Sequence, residues 1–192
     1  MSTFRVYNDN DKGTLPKRVS NPKLHDPKLY VPSKGLQEAV NVAIALGQPL
    51  LVTGEPGTGK TELAKHIAHF FDLGEVEVFN AQTTAQAKDL FYRYDALAHF
   101  QYAQTSKEEL NPEKVEALFI RFHGLGRVIR DNRKAVVLLD EIDKAPRDLP
   151  NDILAAIEDL RFEIPEIGKS YKATPENCPI IVMTSNSEVK PR

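Results

Sequence analysis

The sequence predicts an α/β fold, a mostly parallel sheet covered by helices, and three observations carry that expectation. Short apolar runs of strand length alternate with segments of helical periodicity, the pattern of βαβ units. Two of the runs, AVVLLD (Ala135–Asp140) and PIIVMTSN (Pro179–Asn186), are apolar on successive residues. Such runs suit strands buried on both faces of a parallel sheet. A third run, PLLVT (Pro49–Thr53), passes straight into a glycine-rich turn and then into helical periodicity.

The bulk composition is compatible with this reading. The chain has 192 residues, enough for one domain with a sizeable core. Hydrophobic residues make up 41% and charged residues 27%, the profile of an ordinary globular protein. The net charge of −2 gives no global attraction to nucleic acid or anionic membrane. The lone cysteine, Cys178, excludes a disulfide framework within the chain and suits a reducing, cytoplasmic location. The N-terminus is polar and lacks the apolar segment of a secretory signal. No apolar run approaches the roughly 18 residues of a membrane span.

Residues 1–32 contain Pro16, Pro22, Pro27 and Pro32 and read as an irregular leader. Residues 33–192 read as the domain. Ser33 is placed to cap a helix over Lys34–Leu46, with Leu36, Val40, Ala43 and Ile44 inward and Gly47 as its stop. After the Pro49–Thr53 strand, a helix from Lys60 to about Phe71 places Leu63, Ala64, Ile67 and Phe70 on one face. Val76–Ala81 reads as the second strand. Gln82–Leu110 is polar and aromatic without clear periodicity. Asn111 and Pro112 open a helix whose face is Val115, Leu118, Phe119 and Phe122, interrupted by Gly124 and Gly126. Ala135–Asp140 is the third strand. Leu149, Ile153, Leu154, Ile157 and Leu160 imply a helix beginning near Pro150. RFEIPEIGKSYKAT alternates around Gly168 and reads as a hairpin. Pro179–Asn186 is the fourth strand.

The stretch GEPGTGKT, Gly54–Thr61, matches the phosphate-loop pattern G-x-x-x-x-G-K-[ST], with a strand before it and a helix after it. A polyphosphate must be desolvated and held. Free N–H groups at a helix N-terminus supply donors and the positive end of the helix dipole. Gly54, Gly57 and Gly59 let the backbone curl and approach closely. The expected nucleotide-binding residues are Gly54, Glu55, Pro56, Gly57, Thr58, Gly59, Lys60, Thr61 and Glu62. Lys60 directs a full charge at the β- and γ-phosphates. The Thr61 hydroxyl suits Mg²⁺, which prefers oxygen ligands.

About 80 residues on, VVLLDEID carries Asp140 and Glu141 to the C-terminal end of a strand, where open α/β sheets bind ligands. Asp140 is the second expected Mg²⁺ residue, directly or through water. Glu141 is the expected general base, polarising a water for attack on the γ-phosphate. Asp143 is assigned a structural or interface role. The GTPase motifs D-x-x-G and N-K-x-D do not occur in the chain. A nucleotide kinase is an alternative, but the adjacent Asp–Glu pair favours hydrolysis by water.

Three other features have competing readings. His66 and His69 read as packing or solvent-facing residues rather than metal ligands. Arg121, Arg127, Arg130, Arg133 and Lys134 read as an interface or a solvated helix end, with a nucleic-acid surface as the alternative. Phe91, Tyr92, Tyr94, Phe100 and Tyr102 could stack bases, line a peptide-handling pore or pack the segment onto the domain.

GEPGTGKTELA, VVLLDEIDKAP and VMTSN together resemble the AAA+ ATPase superfamily, a branch of the P-loop NTPases. YRYDAL, IEDLRFEIP and MTSNSE resemble its MoxR-like branch, and the likeness spans roughly residues 30–189. The resemblance implies a three-layer α/β/α domain with strand order 1-4-3-2. It implies ATP and Mg²⁺ as cofactors, hexameric ring assembly, and remodelling of a protein client. It implies that Asn186, at the tip of the fourth strand, is the sensor that reads the γ-phosphate or orients the water. Lys60, Glu141 and Asn186 are thus the expected catalytic set. The segment near 90–110 resembles an insert of the family and that near 162–174 its hairpin before the sensor strand, both facing the ring pore or partners. Residues around Tyr30 and Val31 are placed near the adenine. The family also expects a fifth strand, an arginine finger and a helical lid, and none is found before Arg192. Weak or absent hydrolysis is therefore expected of this chain alone, with the Pro49–Thr53 strand left as a sheet edge. A nucleotide-gated scaffold without turnover and a nucleic-acid-dependent ATPase are the alternatives.

Overall fold

In the computed structural model, residues 26–83, 85–106, 108–146 and 149–186 are described, the side chains of 149–152 and 155 excepted. Of the leader, residues 1–25 lie outside the described residues. The part that is described forms one 3₁₀ turn, Pro27–Leu29, capped by the Asp26 side chain on the Lys28 N–H.

Helix α1 (Lys34–Leu46) begins where Ser33 accepts from the Leu36 N–H and ends at Gly47 in the left-handed conformation. Strand β1 (Leu50–Thr53) leads through the glycine-rich loop to α2 (Lys60–Phe70), and β2 (Glu77–Asn80) follows. The chain then builds a smaller layer from β3 (Tyr92–Tyr94), α3 (Ala96–Thr105), α4 (Pro112–Phe119), β4 (Ile120–Phe122) and α5 (Gly124–Arg130). Strand β5 (Val136–Asp140), helix α6 (Leu149–Glu158), the antiparallel hairpin β6 (Arg161–Ile164) and β7 (Lys169–Lys172), and strand β8 (Ile180–Ser185) follow in chain order. Among the described residues no helix is long and apolar enough to cross a membrane.

The main sheet has the order β1-β8-β5-β2, and every neighbouring pair is parallel. This is the expected order 1-4-3-2. The register pairs Thr53 with Ser185 and Asn80 with Asp140. Parallel pairing therefore brings the C-terminal ends of all four strands to one edge. Alternation along β5 explains its uninterrupted apolar sequence. Val136 and Leu138 pack against Leu63, Ala64 and Ile67 of α2 on one face. Val137 and Leu139 pack on the other face with Leu125, Val128 and Ile129 of α5 and Ile153 and Ile157 of α6. All four β5 residues are fully buried. Each such side chain contributes roughly 1.5–3 kcal/mol of transfer free energy. Among the described residues β1 lies at one edge of the sheet, paired with β8.

The structure differs from the sequence expectation in four places. Phe70 is not on the inward face of α2. It is 71% exposed, and Ala68 takes the buried position. Gln82–Leu110, a polar and aromatic stretch given no element in the sequence reading, contains β3 and α3, the latter capped by Asp95 on the Ala98 N–H. The helix opened by Asn111 and Pro112 stops at Phe119, and Leu118 on its supposed inner face is exposed. Ile120, Arg121 and Phe122 instead alternate buried, exposed, buried and pair antiparallel with Tyr94, Arg93 and Tyr92. The alternation of buried Ile120 and Phe122 about exposed Arg121 outweighed the helical spacing of Val115, Leu118, Phe119 and Phe122. Finally, Gly124 and Gly126 do not break a helix but open α5. A β-carbon at Gly126 would lie 1.8 Å from the Phe91 carbonyl oxygen, so only glycine lets α5 approach β3 this closely.

The small layer is held by aromatic rings. Phe162 of the hairpin stacks on Phe91 at 4.8 Å and on Tyr171 at 5.4 Å, and Tyr171 meets Phe122 edge-on at 5.9 Å. Offset and edge-to-face pairs of this kind add about 0.5–1.5 kcal/mol each beyond burial. Polar ties flank the rings. Tyr92 donates to Glu166 at 3.0 Å, and Tyr171 and Lys169 both reach Glu116, at 2.8 and 2.7 Å. Burial, reinforced by the bond to Glu166, pushes the Tyr92 phenol up to about 12.

Candidate functional site

β1 ends at Thr53, and the chain turns through residues 54–59 on glycines at left-handed φ: +149° at Gly54, +82° at Gly57 and +87° at Gly59. L-residues with a side chain rarely adopt such angles. Gly59 is the N-cap of α2 and supplies no capping side chain. The first-turn amides of α2 therefore remain donors toward the loop, the arrangement that binds anions. Thr58 donates to the Glu55 carbonyl at 2.9 Å and braces the loop from within. Glu55, Pro56, Gly57 and Thr58 are exposed along its outer side. Lys60 is buried. Its ammonium donates to the carbonyls of Gly54 and Glu55, both at 2.8 Å. Glu62, in the first turn of α2, pairs with Lys65 at 2.8 Å. Tyr30 lies across the start of the helix, and a β-carbon at Gly59 would meet its ring at 3.2 Å. Its ring also lies 5.5 Å from that of His66, whose Nδ1 bonds the Pro27 carbonyl at 2.9 Å. Burial raises the Tyr30 phenol above its ordinary value. Val31 is exposed.

The acidic pair arrives from β5. The Thr61 hydroxyl oxygen is 3.5 and 3.4 Å from Asp140 Oδ1 and Oδ2, although 79 residues separate the two in sequence. Three oxygens thus converge where α2 meets β5, the hard donor set that Mg²⁺ prefers. Glu141 has φ +57° and ψ +47°, the left-handed region, and is not glycine. Such a backbone costs on the order of 1 kcal/mol or more and is typical of functional sites. The turn aims the Glu141 side chain back over the sheet edge. There Glu141 Oε1 accepts from Asn186 Nδ2 at 3.2 Å, while Oε2 pairs with Lys144. The Lys144 ammonium, with a smaller contribution from Asn186, holds the Glu141 carboxyl below the usual glutamate range.

Lys60, Thr61, Asp140, Glu141 and Asn186 are therefore gathered at one end of the sheet. Two residues that join them had no assigned part in the site. Asp143 accepts from the Asn186 backbone N–H at 2.9 Å, and that bond holds its carboxyl low. Thr184 is 1% exposed; it accepts from the Glu141 N–H at 2.9 Å and donates to Asp140 Oδ1. A hydroxyl inside an otherwise apolar buried strand was the available signal for Thr184.

The basic stretch is largely paired. Arg127 and Arg133 both bind Glu77, while Arg130 pairs with Asp131 and lies 4.4 Å from the centre of the Phe122 ring. Arg121 is exposed on β4. The aromatic stretch divides. Phe91 and Tyr92 are buried, whereas Phe100 is exposed on α3.

Comparison with known proteins places the chain. No curated protein matches it. Among solved structures it is similar to a protein of Cytophaga hutchinsonii provisionally described as an ATPase, with a TM-score of 0.49 and 15% identity over 83% of this chain and 40% of that one. It is also similar to a point mutant of Thermotoga maritima RuvB, with a TM-score of 0.41 and 20% identity over 80% of this chain and 38% of that one. The chain thus spans about two fifths of the length of these structures. The family model of the AAA domain, dynein-related subfamily, matches residues 49–190, which include the glycine-rich loop, the acidic pair and β8. The chain belongs to the AAA domain family, in its dynein-related subfamily.

Proposed function

We propose that this domain binds Mg²⁺–ATP in the Gly54–Glu62 cradle and hydrolyses it, as one subunit of a ring that remodels a protein client. The observation that supports this most directly is the meeting of Thr61 with Asp140 at 3.4 Å, beside Lys60 on one side and Glu141 with Asn186 on the other. The loop amides and the α2 N-terminus hold the phosphates, and Lys60 exchanges its two carbonyl partners for phosphate oxygens. Thr61 and Asp140 would hold the magnesium ion, which when bound neutralises phosphate charge. Glu141 accepts a proton from the attacking water while the water oxygen bonds the γ-phosphorus and ADP leaves. Asn186 holds the Glu141 carboxylate in place and orients the water. The likeness of YRYDAL, IEDLRFEIP and MTSNSE to the MoxR-like branch supports the remodelling role.

A second reading, a nucleotide-gated scaffold with little turnover, is favoured by one observation. Both Glu141 carboxylate oxygens are engaged, by Asn186 and by Lys144. Glu141→Gln separates the two. Under the hydrolytic reading it keeps ATP affinity in calorimetry within a few fold and lowers phosphate release by at least about 100-fold, the scale of losing a general base. Equal phosphate release by the variant and the parent would remove Glu141 as the base. A longer form of the protein that binds ATP and releases no phosphate would favour the scaffold. The pairing of Arg127 and Arg133 with Glu77 weakens a nucleic-acid-dependent reading, because that carboxylate offsets one of their two charges.

A further inference from the structure

We propose that Thr184 is the positioning residue of the magnesium site: its hydroxyl fixes the Asp140 carboxylate beside Thr61 and ties that orientation to the Glu141 turn. This inference rests on the Mg²⁺–ATP reading above and names a residue that neither the motifs nor the family match assigns.

The argument is one of proton direction. A threonine hydroxyl has a single proton to donate and lone pairs to accept with. Thr184 Oγ1 accepts from the Glu141 backbone N–H at 2.9 Å, so its own proton is free to point elsewhere. The acceptor within reach is Asp140 Oδ1. Strand β8 holds Thr184 in register with Val52 of β1 and buries it to 1% exposure, so its oxygen cannot drift into solvent. Asp140 Oδ1 is thereby engaged from the β8 side. Held this way, the carboxylate keeps both oxygens near the Thr61 hydroxyl, at 3.5 and 3.4 Å. The same hydroxyl supports the left-handed Glu141 backbone, a conformation that needs an outside partner to persist. One buried group on the sensor strand thus sets the geometry of both acidic residues. Partners of this kind, one bond behind the metal ligands, typically change metal affinity by about 10–100-fold when removed.

The test is a Mg²⁺ titration of AMP-PNP binding followed by calorimetry, on the parent and on Thr184→Val, which keeps the shape and removes the hydroxyl. The inference expects the half-saturating Mg²⁺ concentration to rise about 10–100-fold in Thr184→Val. It expects AMP-PNP affinity in EDTA to stay within about twofold, and Thr184→Ser to restore the parent Mg²⁺ dependence. An unchanged Mg²⁺ dependence in Thr184→Val, with the parent binding normally, overturns the inference and leaves the Mg²⁺–ATP reading intact. Equal loss with and without Mg²⁺ also overturns it, since Thr184 would then be merely structural. A parent protein whose AMP-PNP binding is absent or indifferent to Mg²⁺ overturns the Mg²⁺–ATP reading itself. If Thr184→Val does not melt cooperatively, Thr184→Ala is measured against the same criteria; failure of both to fold assigns Thr184 to the core and overturns the inference.

Discussion

The two ends of this domain are built by different means. At the phosphate end, loop and turn geometry comes from short words in the sequence: three glycines at left-handed φ and a lysine bonded to the carbonyls five and six residues behind it. In the small layer, Phe91, Phe122, Phe162 and Tyr171 come from segments up to 80 residues apart and hold each other through ring contacts. The first region is shaped by local backbone conformation, whereas the second joins segments distant in sequence into one packed unit. Substitutions in the small layer should act on stability. Those at the phosphate end should act on binding and leave stability nearly unchanged.

The largest effect is expected at Gly126. Gly126→Ala forces a β-carbon into the Phe91 carbonyl at 1.8 Å, so α5 must move away from β3. A loss of about 4 kcal/mol or more is expected by denaturant unfolding; a loss below about 1 kcal/mol would show that the approach is not constrained. Phe162→Ala comes next, at about 3–5 kcal/mol for a large buried ring. It should expose the β6–β7 hairpin to proteolysis while AMP-PNP affinity in the folded fraction stays within a few fold. A parallel collapse of affinity would mean that the two ends are coupled. Lys60→Ala should reverse the pattern. Nucleotide affinity should fall by at least about 100-fold, the measure of losing a buried charged contact, with a melting temperature within a few degrees of the parent.

The smallest effect is at Asp143, and pH sharpens it. The Asn186 N–H holds the Asp143 carboxyl below its ordinary value. A lowered carboxyl contributes stability that is present above the ordinary aspartate pKa and is lost as pH falls through the lowered one. Asp143→Asn should cost no more than about 1 kcal/mol near neutrality, because the group is mostly exposed. The difference from the parent should vanish as pH falls below the ordinary aspartate range. A difference that persists unchanged in acid would show that the charge of Asp143 plays no part.

The legible and illegible parts divide along the same line. That β5 and β8 are interior strands was legible because their apolar runs require cover on both faces, whereas the order 1-4-3-2 came from the resemblance to the AAA+ superfamily. Phe122 was misplaced because its spacing from Val115, Leu118 and Phe119 fits a helix as well as its alternation with Ile120 fits a strand. Only the partner strand Tyr92–Tyr94 decides between them. Phe70 was misplaced because helical periodicity identifies a face without saying how far around the helix the core extends. Gly124 and Gly126 look like breakers in sequence. In the structure they are contact points, since the demand for glycine comes from Glu77 and Phe91 rather than from the local φ.

The glycine-rich loop, the acidic pair at a strand's end and the burial of β5 and β8 on both faces were determined by the sequence alone. Each rests on steric or burial demands that act within a few residues, so residue type and spacing carry them. The tertiary structure alone decided that Thr184 joins Asp140 to Glu141, that Asp143 receives the Asn186 backbone, and that Phe162 closes the aromatic layer. Those contacts depend on strand register and on the approach of whole elements, and no short stretch of chain encodes the distance between two others.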